Sequence, residues 1–313
     1  MIQEERLISL FQELCLINAP ALEERECVEY TKRLLSDFGL EVWEDNAAAI
    51  IGGNANNLLA RARGTVPGAP TIFFSAHFDT VEPTEGLEIQ EVDGVFSSKG
   101  KTILGADDKA GMAPAIEALF AAIEDDVPRG DVYLLLTCAE EIGLKGASAM
   151  ELEEYNFDFG FVLDTGPPVG SYVHRTAYHD KLDVTIVGRP AHAGKDPEHG
   201  INAIQVAAHA IANMKIGRIS PNTTSNVGII QGGTAVNVVC PEVTVRCEAR
   251  STSLEELEEQ VRGMIVAFEE AGTKFGAVVH MDHRRHYDAY HVEASEIVVA
   301  VGQAASRHLG LDP

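Results

Sequence analysis

The chain is poor in positive charge and in cysteine, and it has no long apolar run. Its 313 residues carry 24 Lys and Arg against 48 Asp and Glu, a formal net charge of -24. Nucleic acid and anionic membranes are set aside as partners, because both need basic patches. The five cysteines (Cys15, Cys27, Cys138, Cys240 and Cys247) contain no CxxC pair. An odd, scattered set argues against a disulfide framework and for reduced thiols in a cytoplasm, where they serve as small buried apolar residues. No apolar stretch approaches transmembrane length. The opening segment, MIQEERLISLFQELC, carries charges throughout and a helical apolar period at Leu7, Leu10, Phe11 and Leu14. It reads as a docked amphipathic helix, since a signal peptide needs an uninterrupted apolar core. Internal repeats and low-complexity tracts are also missing.

What is present is core material. The chain is 45% hydrophobic, enough for a sizeable interior and, at this length, about two domains. Helical periodicity runs to Phe38 with a break at Asn18-Ala19-Pro20, and Gly39 is placed as a C-cap. Short strands are expected over Glu41–Ile51, Asn57–Arg63, Thr71–Ala76, Asp131–Cys138 and Phe159–Asp164, with helices at Lys109–Ile123 and Gly146–Met150 between them. Strands alternating with helices predict an α/β fold around a mostly parallel sheet covered on both faces. Near residue 180 the texture changes. Lys181–Val187 alternates, Ile201–Met214 is helical, and strand-like runs follow at Ser225–Gln231, Val236–Val239 and Val243–Arg250. Leu254–Ala271 is a helix capped by Ser251 or Ser253, and Ala277–His283 is a closing strand. This pattern predicts an inserted α+β domain over residues 179–291. The first domain then comprises residues 1–178 and 292–313, with Glu293–Leu309 as a returning helix.

Four polar clusters sit at or just beyond the ends of apolar runs: His77-Phe78-Asp79, Asp107-Asp108, Glu140-Glu141 and Asp164. In an open α/β sheet the carboxyl ends of the strands form the ligand crevice. One imidazole with several carboxylates gathered there suits divalent metal ions. His77 and Asp79, two apart on an extended segment, face the same way, so Asp79 can accept the other ring N–H of a ligating His77. The bland alternative for Asp107-Asp108 is a helix N-cap, and for Glu140-Glu141 a solvated acidic loop. Adjacent glutamates can also divide their work, one as ligand and its neighbour as general base. Each cluster alone is ambiguous; four in one α/β half are not easily chance. The stretch from Gly94 to Gly100-Lys101-Thr102 mimics a phosphate loop but has five residues between its glycines where four are needed. His280, His283, His286 and His291 are dense, yet on a strand His283 faces away from His280 and His286, so a structural role is expected.

Order and spacing together resemble the M20 metallopeptidases. The matching stretches are Ser75-Ala76-His77-Phe78-Asp79-Thr80-Val81, Gly105-Ala106-Asp107-Asp108-Lys109-Ala110-Gly111, Cys138-Ala139-Glu140-Glu141-Ile142-Gly143 and Leu163-Asp164. In the second half they are Arg189-Pro190-Ala191-His192-Ala193-Gly194, Gly232-Gly233-Thr234-Ala235-Val236-Asn237-Val238-Val239 and Glu248-Ala249-Arg250. The wording at 104–111 leans toward the peptidase T-like, tripeptidase branch. The resemblance implies a phosphorylase/hydrolase-like catalytic domain and a ferredoxin-like lid or dimerisation domain. It implies two divalent metal ions, zinc first with manganese or cobalt as alternatives. His77 and Asp164 would bind one ion, Asp107 would bridge, and Glu141 would bind the other, with Glu140 as general base and Asp79 orienting His77. The peptide bond after the bridging residue is expected to be cis. His192 would reach the partner's active site in a homodimer, and Asn237 and Arg250 would contact substrate. The implied activity is hydrolysis of short peptides by a cytoplasmic, dizinc-type exopeptidase. A related amidohydrolase (carboxypeptidase, N-acyl amino acid deacylase or desuccinylase) and a non-catalytic binding protein stay open as alternatives. The family carries a further ligand His after a glycine-rich stretch toward its carboxyl terminus. Neither precedes Leu311-Asp312-Pro313, and His308 lies on the last helix and does not match. Either the chain is shortened or the protein lacks that ligand; the expectation is a shortened chain.

Overall fold

A computed structural model describes residues 1–166 and 168–311; Asp312 and Pro313 lie outside the described residues. The chain divides into two compact units, Met1–Ser171 with the segment from Ala300 onward, and Tyr172–Val299.

In the first unit the elements run α1 (Glu4–Leu16), α2 (Arg25–Asp37), β1 (Glu41–Glu44), α3 (Ala47–Ile51), β2 (Leu58–Ala62), β3 (Ile72–His77), β4 (Ile89–Val92), β5 (Val95–Ser98), α4 (Lys109–Glu124), β6 (Val132–Thr137), α5 (Lys145–Ala149) and β7 (Phe159–Val162). The main sheet has the order β1-β2-β6-β3-β7. The three strands β6, β3 and β7 run parallel, while β1 and β2 join antiparallel at one side. β6 is buried along its whole length, which is why its sequence is a continuous apolar run rather than an alternation. On one face Leu58, Ala60, Leu134 and Leu136 pack with Leu10, Leu14, Cys27, Val28, Met112 and Ile116 of the helices. On the other, Leu59, Tyr133 and Leu135 meet Trp43, Phe73, Tyr155 and Phe157. Neighbours along a strand therefore serve opposite cores, as a period of two requires. α1 is tied to α4 by Arg6, whose guanidinium holds the buried Glu117 at 2.5 Å and Glu124 at 2.7 Å.

The second unit contains β8 (Tyr178–Val187), α6 (Ala203–Asn213), β9 (Gly217–Arg218), β10 (Thr223–Gly232), β11 (Glu242–Ser251), α7 (Leu254–Phe275) and β12 (Val278–Tyr287); α8 (Ile297–His308) crosses the boundary in sequence. Its sheet, β12-β8-β11-β10-β9, is antiparallel throughout. Leu182, Val184, Ile186, Val243, Val245 and Cys247 alternate inward against α6 and α7, leaving the opposite face polar. Ser253 caps α7 by accepting the Glu256 amide, one of the two serines expected to do so.

Two local readings differ from expectation. The stretch Glu41–Ile51 is a strand only to Glu44 and then a short helix, because the run Ala47-Ala48-Ala49-Ile50-Ile51 closes at Gly52 in the left-handed region (φ 76). Val236–Val239 forms a turn whose single bridge joins Val238 to His192, so its apolar residues line a loop instead of a sheet.

Candidate metal centre

The parallel pairing puts three strand ends at one edge. His77 closes β3 opposite Thr137 of β6, and the chain beyond β7 stays beside β3, the Leu163 amide donating to the Ser75 carbonyl at 2.9 Å. Asp107 and Asp108 arrive through a loop that leads into α4, and the bond between them is cis. Asp108 caps that helix, its Oδ1 accepting the Gly111 amide at 3.0 Å. The helix start lies so close to the β7 end that a Cβ at Gly111 would stand 2.3 Å from the Leu163 carbonyl.

The side chains converge accordingly. Donor atoms of His77, Asp107 and Asp164 all lie within 4.8 Å of one another. His77 Nε2 is 3.2 Å from Asp107 Oδ1, 3.8 Å from Asp164 Oδ2 and 3.8 Å from Glu140 Oε2. Its other nitrogen, Nδ1, is 3.4 Å from Asp79 Oδ1. His77 and Asp79 are buried, whereas Asp107 exposes 69% of its side chain. Asp79 also accepts the amides of Glu140 and Glu141, each at 2.9 Å, so one carboxylate lies beside the imidazole and binds the loop of the two glutamates. Glu141 enters this arrangement through its amide and stands outside the three-residue donor group.

The electrostatics follow from that crowding. Burial opposes charge on His77, but the Asp79 carboxylate with the fields of Asp108 and Asp164 outweighs it and holds the pKa up at about 9. Burial also opposes charge on Asp79, yet His77 and the two glutamate amides keep it below its ordinary value. Asp108 is pushed up to about 8 by burial and then by Asp164. Burial raises Glu140, Glu141 and Asp164 as well, with repulsion from neighbouring carboxylates adding to it. Asp164 and Asp107 are near enough to share a hydrogen bond. An imidazole nitrogen beside carboxylates that repel one another fits a divalent cation, which would relieve that repulsion.

Other residues singled out in the sequence fall in the second unit. His192 lies on an exposed loop with its Nδ1 accepting the Gly194 amide at 3.1 Å, and the Ala193 amide donates to the Asn237 carbonyl at 2.9 Å. His192 and Asn237 thus share one pair of loops. Arg250 projects from β11, donating to Glu248 Oε2 at 3.1 Å and to Tyr287 Oη at 3.4 Å. The histidines of β12 do not gather: His283 pairs with buried Asp180 at 2.7 Å, while His286 packs against His179. An open cavity of about 610 Å³ in this unit, lined by Lys215, Ser220, Glu256 and Gln260 among others, holds none of the strand-end residues.

Sequence reasoning passed over two buried groups behind the centre. Glu24 Oε1 accepts the Ala139 amide at 2.8 Å, and Asn57 Oδ1 accepts the Cys138 amide at 2.9 Å. No local pattern marks either, because the partners lie 115 and 81 residues away.

Fold and site define a metal-dependent hydrolase, and comparison with known proteins narrows the class. The family described as peptidase dimerisation domain matches residues 179–274, and the one described as M42 glutamyl aminopeptidase matches residues 93–187. The chain is 37% identical over 310 residues to the uncharacterised protein YqjE of Bacillus subtilis, covering 99% of this chain and 83% of that one. It superposes on the solved aminopeptidase PepT of Bacillus cereus with a TM-score of 0.91 and 38% identity, over 100% of this chain and 84% of that one. A tripeptidase of Staphylococcus aureus gives a TM-score of 0.95 and 35% identity, over 100% and 83% respectively. The chain belongs to the M20 metallopeptidases, in the peptidase T-like branch.

Proposed function

We propose that this chain is a metal-dependent exopeptidase that removes the N-terminal residue from tripeptides and similarly short peptides. The observation that carries this reading is the convergence of His77, Asp107 and Asp164 within 4.8 Å at the ends of parallel strands, with Glu140 Oε2 3.8 Å from His77. The tripeptidase and aminopeptidase relatives support the substrate class. His77 and Asp164 would hold one divalent ion, Asp107 would bridge, and Glu141 would hold a second, with zinc as the first choice and manganese or cobalt as alternatives. Bound there, such ions supply Lewis acidity and lower the pKa of a water molecule.

The protein's own residues then have distinct tasks. Asp79, 3.4 Å from Nδ1, would fix the ring of His77 and leave Nε2 for the ion beside Asp107 and Asp164. Glu140, raised in pKa by burial, would take the proton of the attacking water and return it to the leaving amine. In the second unit, His192 would stabilise the oxyanion in the partner's site, and Asn237 and Arg250 would hold the substrate. Glu248 and Tyr287 accept from the Arg250 guanidinium, which would hold its fork for a substrate carboxylate. The dimerisation-domain match over residues 179–274 supports a homodimer. All five cysteines are free and buried, which suits a reducing cytoplasm. Among the described residues no helix is long and apolar enough to cross a membrane.

Glu140→Ala tests the assignment. It is expected to bind metal as the parent does and to lose about two orders of magnitude or more in kcat. Near-parental turnover would remove Glu140 from the chemistry.

A further inference from the structure

After β6 the chain turns through Cys138, Ala139, Glu140 and Glu141, and each of these four amides is bound by a side-chain oxygen rather than by backbone. Asn57 Oδ1 takes Cys138 at 2.9 Å, Glu24 Oε1 takes Ala139 at 2.8 Å, and Asp79 takes Glu140 and Glu141 at 2.9 Å each. All three side chains are inaccessible to solvent. Asp79 already has a place beside His77; Glu24 is not one of the three residues of the donor group and has no role so far.

Glu24 has several marks of a dedicated clamp. The same oxygen, Oε1, also accepts the amide of Leu22 at 2.9 Å, while Oε2 is buried without a hydrogen-bond partner. Leu22 (φ 76) and Ala139 (φ 52) both occupy the left-handed region, where a residue with a Cβ needs support from its surroundings. One carboxylate oxygen therefore holds two strained turns together, the loop before α2 and the loop that presents the glutamates. The Leu22 turn is itself fixed, its carbonyl accepting the Asn54 amide at 2.9 Å. Beyond Ala139 the loop has little freedom: the Ala139 carbonyl accepts Lys145 at 3.1 Å and the Glu140 carbonyl accepts Gly143 and Leu144 at 2.8 Å. Releasing Ala139 would leave a buried N–H without an acceptor and let the φ of that residue relax, which would rotate the next two peptides.

We infer that Glu24 is a positioning residue for the metal centre, fixing Ala139 in its left-handed conformation so that Glu140 and Glu141 present their carboxylates in register. This rests on the roles given to those two glutamates above. What matters is an acceptor oxygen at the reach of the glutamate side chain, not its charge. Glu24→Gln keeps that oxygen; Glu24→Asp keeps a carboxylate but is one methylene shorter, which draws the oxygen back from Ala139.

The test reads amide hydrogen exchange at residues 138–141 in the metal-free chain, zinc affinity, and tripeptide turnover at saturating zinc. Glu24→Asp is expected to exchange about tenfold faster at Ala139–Glu141, to bind zinc about tenfold more weakly, and to lose about tenfold in kcat with KM little changed. Glu24→Gln should match the parent within about threefold in all three. Unchanged exchange and zinc affinity in Glu24→Asp, or a Glu24→Gln variant as impaired as Glu24→Asp, would overturn the inference. Loss of protection across β6 and α4 as well would make Glu24 a general stability residue and overturn it too. If the parent cleaves no tripeptide while the exchange and zinc pattern holds, the peptidase reading fails and the clamp stands.

Discussion

At the scale of single residues, the centre is a concentration of negative charge around one buried imidazole, and protons compete with metal for it. In the metal-free chain His77 keeps its proton up to about 9 and Asp108 up to about 8, whereas unfolding returns them to roughly 6.5 and 3.9. The folded state holds the extra protons between those limits, so stability falls as pH rises. The His77 contribution is complete below its unfolded pKa of ~6.5 and disappears as pH climbs through about 9. The Asp108 contribution is complete below ~3.9 and disappears through about 8. His179, held down at about 4, acts in the opposite sense but only below its unfolded value. Between about pH 7 and about pH 9, in chelator, the Tm is therefore expected to drop, and added zinc should raise it more at the upper end because metal displaces those protons. A Tm in chelator that rises over this range would contradict the pKa assignments.

At the scale of elements, close approach of α4 to the β7 end is what brings Asp107 to Asp164. A Cβ at Gly111 would lie 2.3 Å from Asp108 Oδ1, which caps the same helix, and 2.3 Å from the Leu163 carbonyl, which is backbone and cannot swing aside. Gly111→Ala should therefore push the helix start from the strand end, lowering stability by about 1–3 kcal/mol and weakening zinc binding. A denaturation midpoint and zinc affinity equal to the parent's would show that the approach is not needed. Elements of this kind were legible in sequence where periodicity was long or a polar residue ended an apolar run, as at Ile72–His77 and Val132–Thr137. His77, Asp107 and Asp164 stood out because each follows such a run, and the structure gathers them. The helix at Ala47–Ile51 and the turn at Val236–Val239 were missed because a few apolar residues carry no period. Glu24 and Asn57 were invisible for a different reason. A buried acid that caps a distant amide looks in sequence like any solvated loop residue.

At the scale of the whole molecule, the residues proposed for the chemistry and those proposed for substrate contact lie in separate units. The strand-end centre belongs to the unit built on the mixed sheet, and His192, Asn237 and Arg250 belong to the antiparallel unit. The dimerisation-domain match covers residues 179–274 of that second unit, so the chain is expected to run as a dimer in light scattering. A monomer at assay concentration would contradict His192 acting in a partner's site. The central claim, a peptidase whose strand-end residues hold metal for cleavage at the N-terminal bond, is tested most directly by identifying the products from an unmodified tripeptide. The zinc-loaded chain should release the free N-terminal amino acid and the C-terminal dipeptide, and chelation should abolish this. An intact tripeptide in the presence of bound zinc, or release of the C-terminal residue first, would contradict it.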